Sequence, residues 1–303
     1  MFESSRSSVS FLGTGLLVTA FATGSASAVT VFDDSFADGD LAKTGALDTN
    51  WWTSSSSSGI EIAPNALGLV TGSSGRGIHT VFATQTLANI GDKLTATYTF
   101  TTPATVGSGS SSAFRVGLFD TLGRAGLDAN VSASSSSPND LYGNVANSVA
   151  GLPGYMFDMD VNTGSDDINF REHNVGSATG RLMATTGSSS FSNISPSGPD
   201  GVYSFAANTQ YTGSFSIERI SATEVELTGT IGGATHTVTD VFDSAEIGML
   251  AFHANSNQFG SSNSAGDPDN GLTFSNINVE FIPEPASMSL LALGGLAMLR
   301  RRG

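Results

Sequence analysis

Lys93-Leu94-Thr95-Ala96-Thr97-Tyr98-Thr99-Phe100-Thr101 alternates without a break. Leu94, Ala96, Tyr98 and Phe100 share one parity; Lys93, Thr95, Thr97 and Thr99 share the other. Successive side chains of an extended chain point to opposite faces, so this stretch reads as a strand with one face on a core and one in water. The same period returns on either side. Phe114, Val116 and Leu118 form one apolar face, and Tyr155, Phe157, Met159 and Val161 form another. Tyr211, Gly213, Phe215 and Ile217 are followed, after a turn at Ser221–Thr223, by Val225, Leu227, Gly229 and Ile231. Gly232-Gly233 then leads into Thr235–Thr239, a two-residue hairpin signal. In the last strand Leu272 and Phe274 are out of phase with Ile277, Val279 and Phe281, so a bulge is expected near Ser275-Asn276.

No long helical period interrupts residues 29–282, and the breaks are Gly-, Ser-, Asn- and Asp-rich, including Ser54–Ser58, Ser108–Ser112, Ser134–Ser137 and Ser188–Ser190. The expected fold class is all-β. We expect a two-sheet antiparallel sandwich of a dozen or so strands, with a jelly roll as its natural topology.

Composition limits the function. The 303-residue chain has no cysteine, which excludes disulfides, thiolate zinc sites and cysteine nucleophiles. Its net charge is −15, and residues 29–282 carry 8 basic and 25 acidic residues. Nucleic acid is not an expected partner, because phosphate binding needs basic patches.

The two ends read differently from the middle. Arg6, the uncharged stretch Val9–Ala22 and Ala26-Ser27-Ala28 make a secretory signal over residues 1–28, with cleavage after Ala28 by signal peptidase. At the other end Pro283-Glu284-Pro285 precedes the uncharged run Ala286–Leu299, which is followed by Arg300-Arg301-Arg302. That run is shorter than an ordinary span, but abutting arginines can snorkel and stay cytoplasmic, so transient inner-membrane contact is expected.

Residues 283–303 resemble the PEP-CTERM sorting signal. The resemblance implies that Pro283, Glu284, Pro285, Arg300, Arg301 and Arg302 are read by exosortase. It also implies an apolar sorting helix that is removed, and an association with exopolysaccharide. Residues 29–282 loosely resemble the concanavalin/laminin-G-like jelly rolls. The resemblance lies in Phe36-Ala37-Asp38-Gly39, Phe114–Phe119 and the closing Phe274–Phe281 strand.

Candidate sites within the body are few. In Asp158–Asp167, oxygens of Asp158, Asp160, Asn162 and Asp166 would suit calcium, though glycine falls seventh, not sixth, and Asn169 stands twelfth in place of glutamate. The favoured reading is a hairpin. Asp158 and Asp160 would line a solvent face, with Arg171 across from an aspartate. Asp267–Gly271 and the Asp33, Asp34, Asp38, Asp40 group are further acidic loops, the former read as a turn. Trp51-Trp52 could offer a sugar-stacking ring, but a strand start would turn one inward, and large aromatics mostly fill cores. His79, His173, His236 and His253 show no zinc spacing and read as strand or loop residues.

No G-x-S-x-G elbow or phosphate loop occurs. The expectation is therefore a non-enzymatic structural or adhesive surface or matrix protein needing no cofactor. The alternative is a lectin-like carbohydrate-binding module, calcium-dependent if the acidic loops bind metal.

Overall fold

The computed structural model describes residues 27–53, 59–71, 75–108, 114–123, 152–161, 168–173, 183, 191–194, 204–264 and 266–284. Both expected terminal helices and most of the serine runs lie outside these residues. Ala26–Glu284 forms one unit.

Among the described residues there are fifteen strands and no helix, and every pairing is antiparallel. One sheet contains β1 (Val29–Asp34), β3 (Ile60–Ala63), β4 (Ala66–Val70), β6 (Lys93–Thr101), β11 (Gln210–Arg219), β12 (Glu224–Ile231), β13 (Ala234–Val241) and β15 (Gly271–Ile282). Its order is β13-β12-β11-β6-β15-β4-β3, with β1 pairing the distal half of β15. The second sheet contains β2 (Trp52–Thr53), β5 (Arg76–Thr86), β7 (Phe114–Phe119), β8 (Gly154–Met159), β9 (Ile168–His173), β10 (Phe191–Asn193) and β14 (Glu246–Ala254). Its order is β10-β9-β8-β7-β14-β5-β2. The chain changes sheet repeatedly, as a jelly roll does.

The parity read from sequence is the parity that packs. Leu94, Ala96, Tyr98, Phe100, Phe114, Val116, Leu118, Phe157, Phe215, Ile217, Phe252, Phe274 and Ile277 all enter one core between the sheets. Gly232 and Gly233 close the β12–β13 hairpin at φ +53° and +90°, as a type I′ turn requires. The β15–β6 register shifts between Phe274 and Asn276, where the bulge is expected.

Alternation fails on the second sheet. Every residue of β7 and β8 is buried. The cause is a second apolar layer on the far face: Phe119, Leu152, Met156, Met183, Met249 and Ala251, flanked by Val81 and Phe191. Gly117 makes room for it, since a Cβ there would lie 2.7 Å from Met183 Sδ.

Candidate functional site

The far face of the second sheet gathers most of the chemistry-bearing side chains. Trp52 on β2 pairs in register with His79 on β5, and their rings stack at 5.7 Å with a 25° interplanar angle. On the next strands His253 pairs with Arg115, and Arg115 pairs with Asp158. One strand further, Asp158 pairs with Asn169, and its diagonal neighbour Arg171 reaches it. His79 itself pairs with Ala251, so His253, Arg115, Asp158 and Asn169 form a separate row, two residues along the strands from the Trp52–His79 stack.

Arg115 is fully buried. Its Nη1 donates to the Met183 carbonyl at 2.5 Å and to His253 Nδ1 at 3.1 Å, and its Nη2 donates to Asn255 Oδ1 at 3.0 Å. A guanidinium only donates, so His253 Nδ1 accepts and the ring is neutral. Burial, then the adjacent Arg115 charge, hold the His253 pKa well below its ordinary value. Burial alone pushes His79 down to about 3. Burial therefore favours the neutral form of both rings.

Asp158 is fully buried, and its Oδ2 accepts from Arg171 Nε at 2.6 Å. Its Oδ1 is buried with no hydrogen-bond partner among the described residues. The cross-strand ion pair expected from sequence is therefore present. The expected solvent face is not: Asp158 is 0% and Asp160 4% exposed. The second apolar layer is the reason, and it rests on segments distant in sequence. Asn162 and Asp166 lie outside the described residues, and no three His, Asp or Glu side chains among those described are grouped to hold a metal.

The tryptophans divide as strand geometry demands, but both are buried. Trp51 enters the main core against Phe32, Phe36 and Phe252, and its Nε1 donates to Asp34 Oδ2 at 2.8 Å. Asp34 also accepts from the Phe36 N–H. Burial raises its pKa to about 7 against the lowering effect of those bonds. The other acidic loop is structural as well. Asp269 accepts from the N–H and hydroxyl of both Thr105 and Ser261, and these bonds hold its pKa below the ordinary value.

Of the sorting residues, Pro283 and Glu284 follow directly on β15, and Ala28 directly precedes β1. Ala26, Pro285, Arg300, Arg301 and Arg302 lie outside the described residues. No helix among the described residues is long and apolar enough to cross a membrane.

No family model and no curated protein matches the chain. Among solved structures, an endo-1,3-beta-glucanase from Streptomyces sioyaensis is 14% identical at a TM-score of 0.46, covering 88% of this chain and 100% of that one. Basic winged bean lectin with Tn-antigen is 10% identical at 0.42, covering 84% and 98%. The carbohydrate recognition domain of Emp46p in a potassium-bound form is 10% identical at 0.43, covering 76% and 87%. None of these assigns a ligand or a reaction to this chain.

Arg115 is the member of the row that sequence reasoning did not single out; His79 and His253, read from sequence as strand or loop residues, both lie on strands. A signal existed for Arg115: it is the lone charge in Phe114-Arg115-Val116-Gly117-Leu118-Phe119. A charge in an otherwise apolar strand needs buried partners.

Proposed function

We propose that this is an exported, non-enzymatic protein of the cell surface or extracellular matrix, sorted by a PEP-CTERM/exosortase system and associated with exopolysaccharide. The observation that carries the reading is the order at the chain end: Pro283-Glu284-Pro285, an uncharged run, then three arginines. The strand borders support it. β1 begins at Val29, the residue that cleavage after Ala28 would expose, and β15 ends at Ile282, immediately before Pro283. Both ends can leave without removing a strand. Deleting residues 283–303 is expected to abolish envelope retention and release the body to the medium. Identical fractionation of the deleted and full-length proteins would overturn the proposal.

A second reading is a carbohydrate-binding module. The antiparallel two-sheet body and the acidic loops at Asp33–Asp40 and Asp267–Gly271 are compatible with it. The test is a glycan array with and without chelator. Binding to a defined glycan supports this reading, and no binding to any glycan counts against it.

A further inference from the structure

Proline has no N–H, so Pro283-Glu284-Pro285 offers one backbone donor, the amide of Glu284. That donor is taken. It donates to Asp92 Oδ1 at 2.7 Å. Asp92 is 1% exposed. Its other oxygen accepts from the Asn89 backbone N–H at 2.7 Å and from the Asn89 side-chain amide at 3.3 Å. Its N–H donates to the Asn89 carbonyl, and its carbonyl accepts from the Arg219 N–H. Arg219 in turn accepts from the Gly91 N–H at 2.7 Å.

This turn stands at the end of the β15–β6 ladder, whose last pair is Ile282 with Lys93. Two residues further on, a carboxylate replaces the strand carbonyl that would have continued the pairing. The Glu284 side chain lies along Gly91, where an added Cβ would be 3.5 Å from its Cγ. Glu284 thus lies against the sandwich, and the single backbone donor of the triplet is occupied.

We infer that Asp92 is a positioning residue that latches the sorting triplet to the folded body and withholds it from the processing enzyme until the bond opens. The inference rests on the sorting reading above. An enzyme that reads the Glu284 amide, or the side of Glu284 that lies along Gly91, would find both occupied. Hydrogen bonds to an ionised acceptor are the stronger kind. Losing the latch should raise the open population on the order of tenfold, equivalent to about 1.4 kcal/mol.

The test uses the full chain in an exporting cell that carries exosortase. Tail removal is followed by intact mass after a pulse of synthesis, and amide exchange at Glu284 is read on purified protein. Asp92→Ala should speed both by about tenfold. Asp92→Asn keeps an acceptor oxygen and should restore slow exchange and slow processing. Should Asp92→Ala fail to fold, a Gly-Ser-Gly-Ser insertion between Ile282 and Pro283 separates donor from acceptor without touching a strand. It should accelerate processing equally, with Asp92→Asn adding nothing further. Unchanged exchange at Glu284, or faster exchange with processing at or below the wild-type rate, overturns the latch. A wild-type tail that is never removed overturns the sorting reading, and the latch with it.

Discussion

Gly229 of β12 and Phe157 of β8 face each other from opposite sheets, and the ring fills the space a side chain at Gly229 would occupy. A Cβ built on Gly229 falls among Cε2, Cδ2 and Cζ of Phe157. The ring is held there by Phe170 at 5.3 Å and Phe215 at 6.0 Å. Gly229→Ala is therefore expected to destabilise the fold by about 1–3 kcal/mol, the usual cost of overpacking a core. Urea unfolding checks it. Phe157→Leu should also destabilise, and the double variant should lose less than the sum, because the smaller side chain gives the new methyl room.

The β12–β13 hairpin makes a second demand on glycine. Gly233 sits at φ +90° and Gly232 at φ +53°. Gly233→Ala should cost about 1–2 kcal/mol, since an L-residue with a Cβ resists this region. Gly232→Asn should be nearly neutral, because asparagine is the common partner of glycine in a type I′ turn. Melting temperatures of the two variants separate the cases.

How far these features were legible follows from their range. Parity is a local property, so Lys93–Thr101, the β12–β13 turn and the β15 bulge could be read from neighbours in sequence. The inward parity of Gly213 and Gly229 could be read too. That Gly213 leaves space for its register partner Tyr98, or Gly229 for Phe157, could not, because the ring arrives from another strand. The burial of Asp158 was illegible for the same reason. Strand pattern places it on the face away from the core, and only the second layer with Met183 and Leu152 takes that face out of water. Trp51 and Asp34 are 17 residues apart, and their bond needs the turn at Phe36 to bring them together.

Three carboxyls, Glu172, Asp34 and Asp240, are raised, each chiefly by burial. Glu172 rises from 4.5 to about 7 through burial, then through Asp240 and Asp243. Tyr155, packed at the same edge, is pushed upward by burial and by Asp240, Glu172 and Asp243. Asp34 rises from 3.8 to about 7. A raised acid keeps its proton longer when folded, so its contribution is full below the unfolded pKa and is lost as pH climbs through about 7. Asp38 and Asp269 are lowered, and their contribution is lost as pH falls below 3.8. His79, His173, His236 and His253 are lowered by burial, and their contribution is lost as pH falls below 6.5. The raised acids and these histidines therefore pull in opposite directions between about pH 4 and 7. The Glu172 share is isolated by substitution: Glu172→Gln should raise the melting temperature relative to the wild type at pH 8 and leave it nearly unchanged at pH 4. An equal change at both pH values would contradict this assignment.

The last prediction concerns which partner neutralises Asp158. Its side chain is 1% exposed and that of Arg171 is 16% exposed, so the pair is sheltered from solvent screening. Removing one member strands the other: Arg171→Ala leaves a buried carboxylate uncompensated and should cost about 3–5 kcal/mol. Asp158→Asn keeps the shape and an acceptor oxygen, and Arg171 can still reach water, so its cost should be smaller. If calcium held Asp158 instead, chelator would lower the melting temperature of the wild type, and Arg171→Ala would change little. With Arg171 as the counter-charge, chelator should leave the wild-type melting temperature unchanged. The asymmetry between the two substitutions then identifies the arginine as the group that makes this buried carboxylate tolerable.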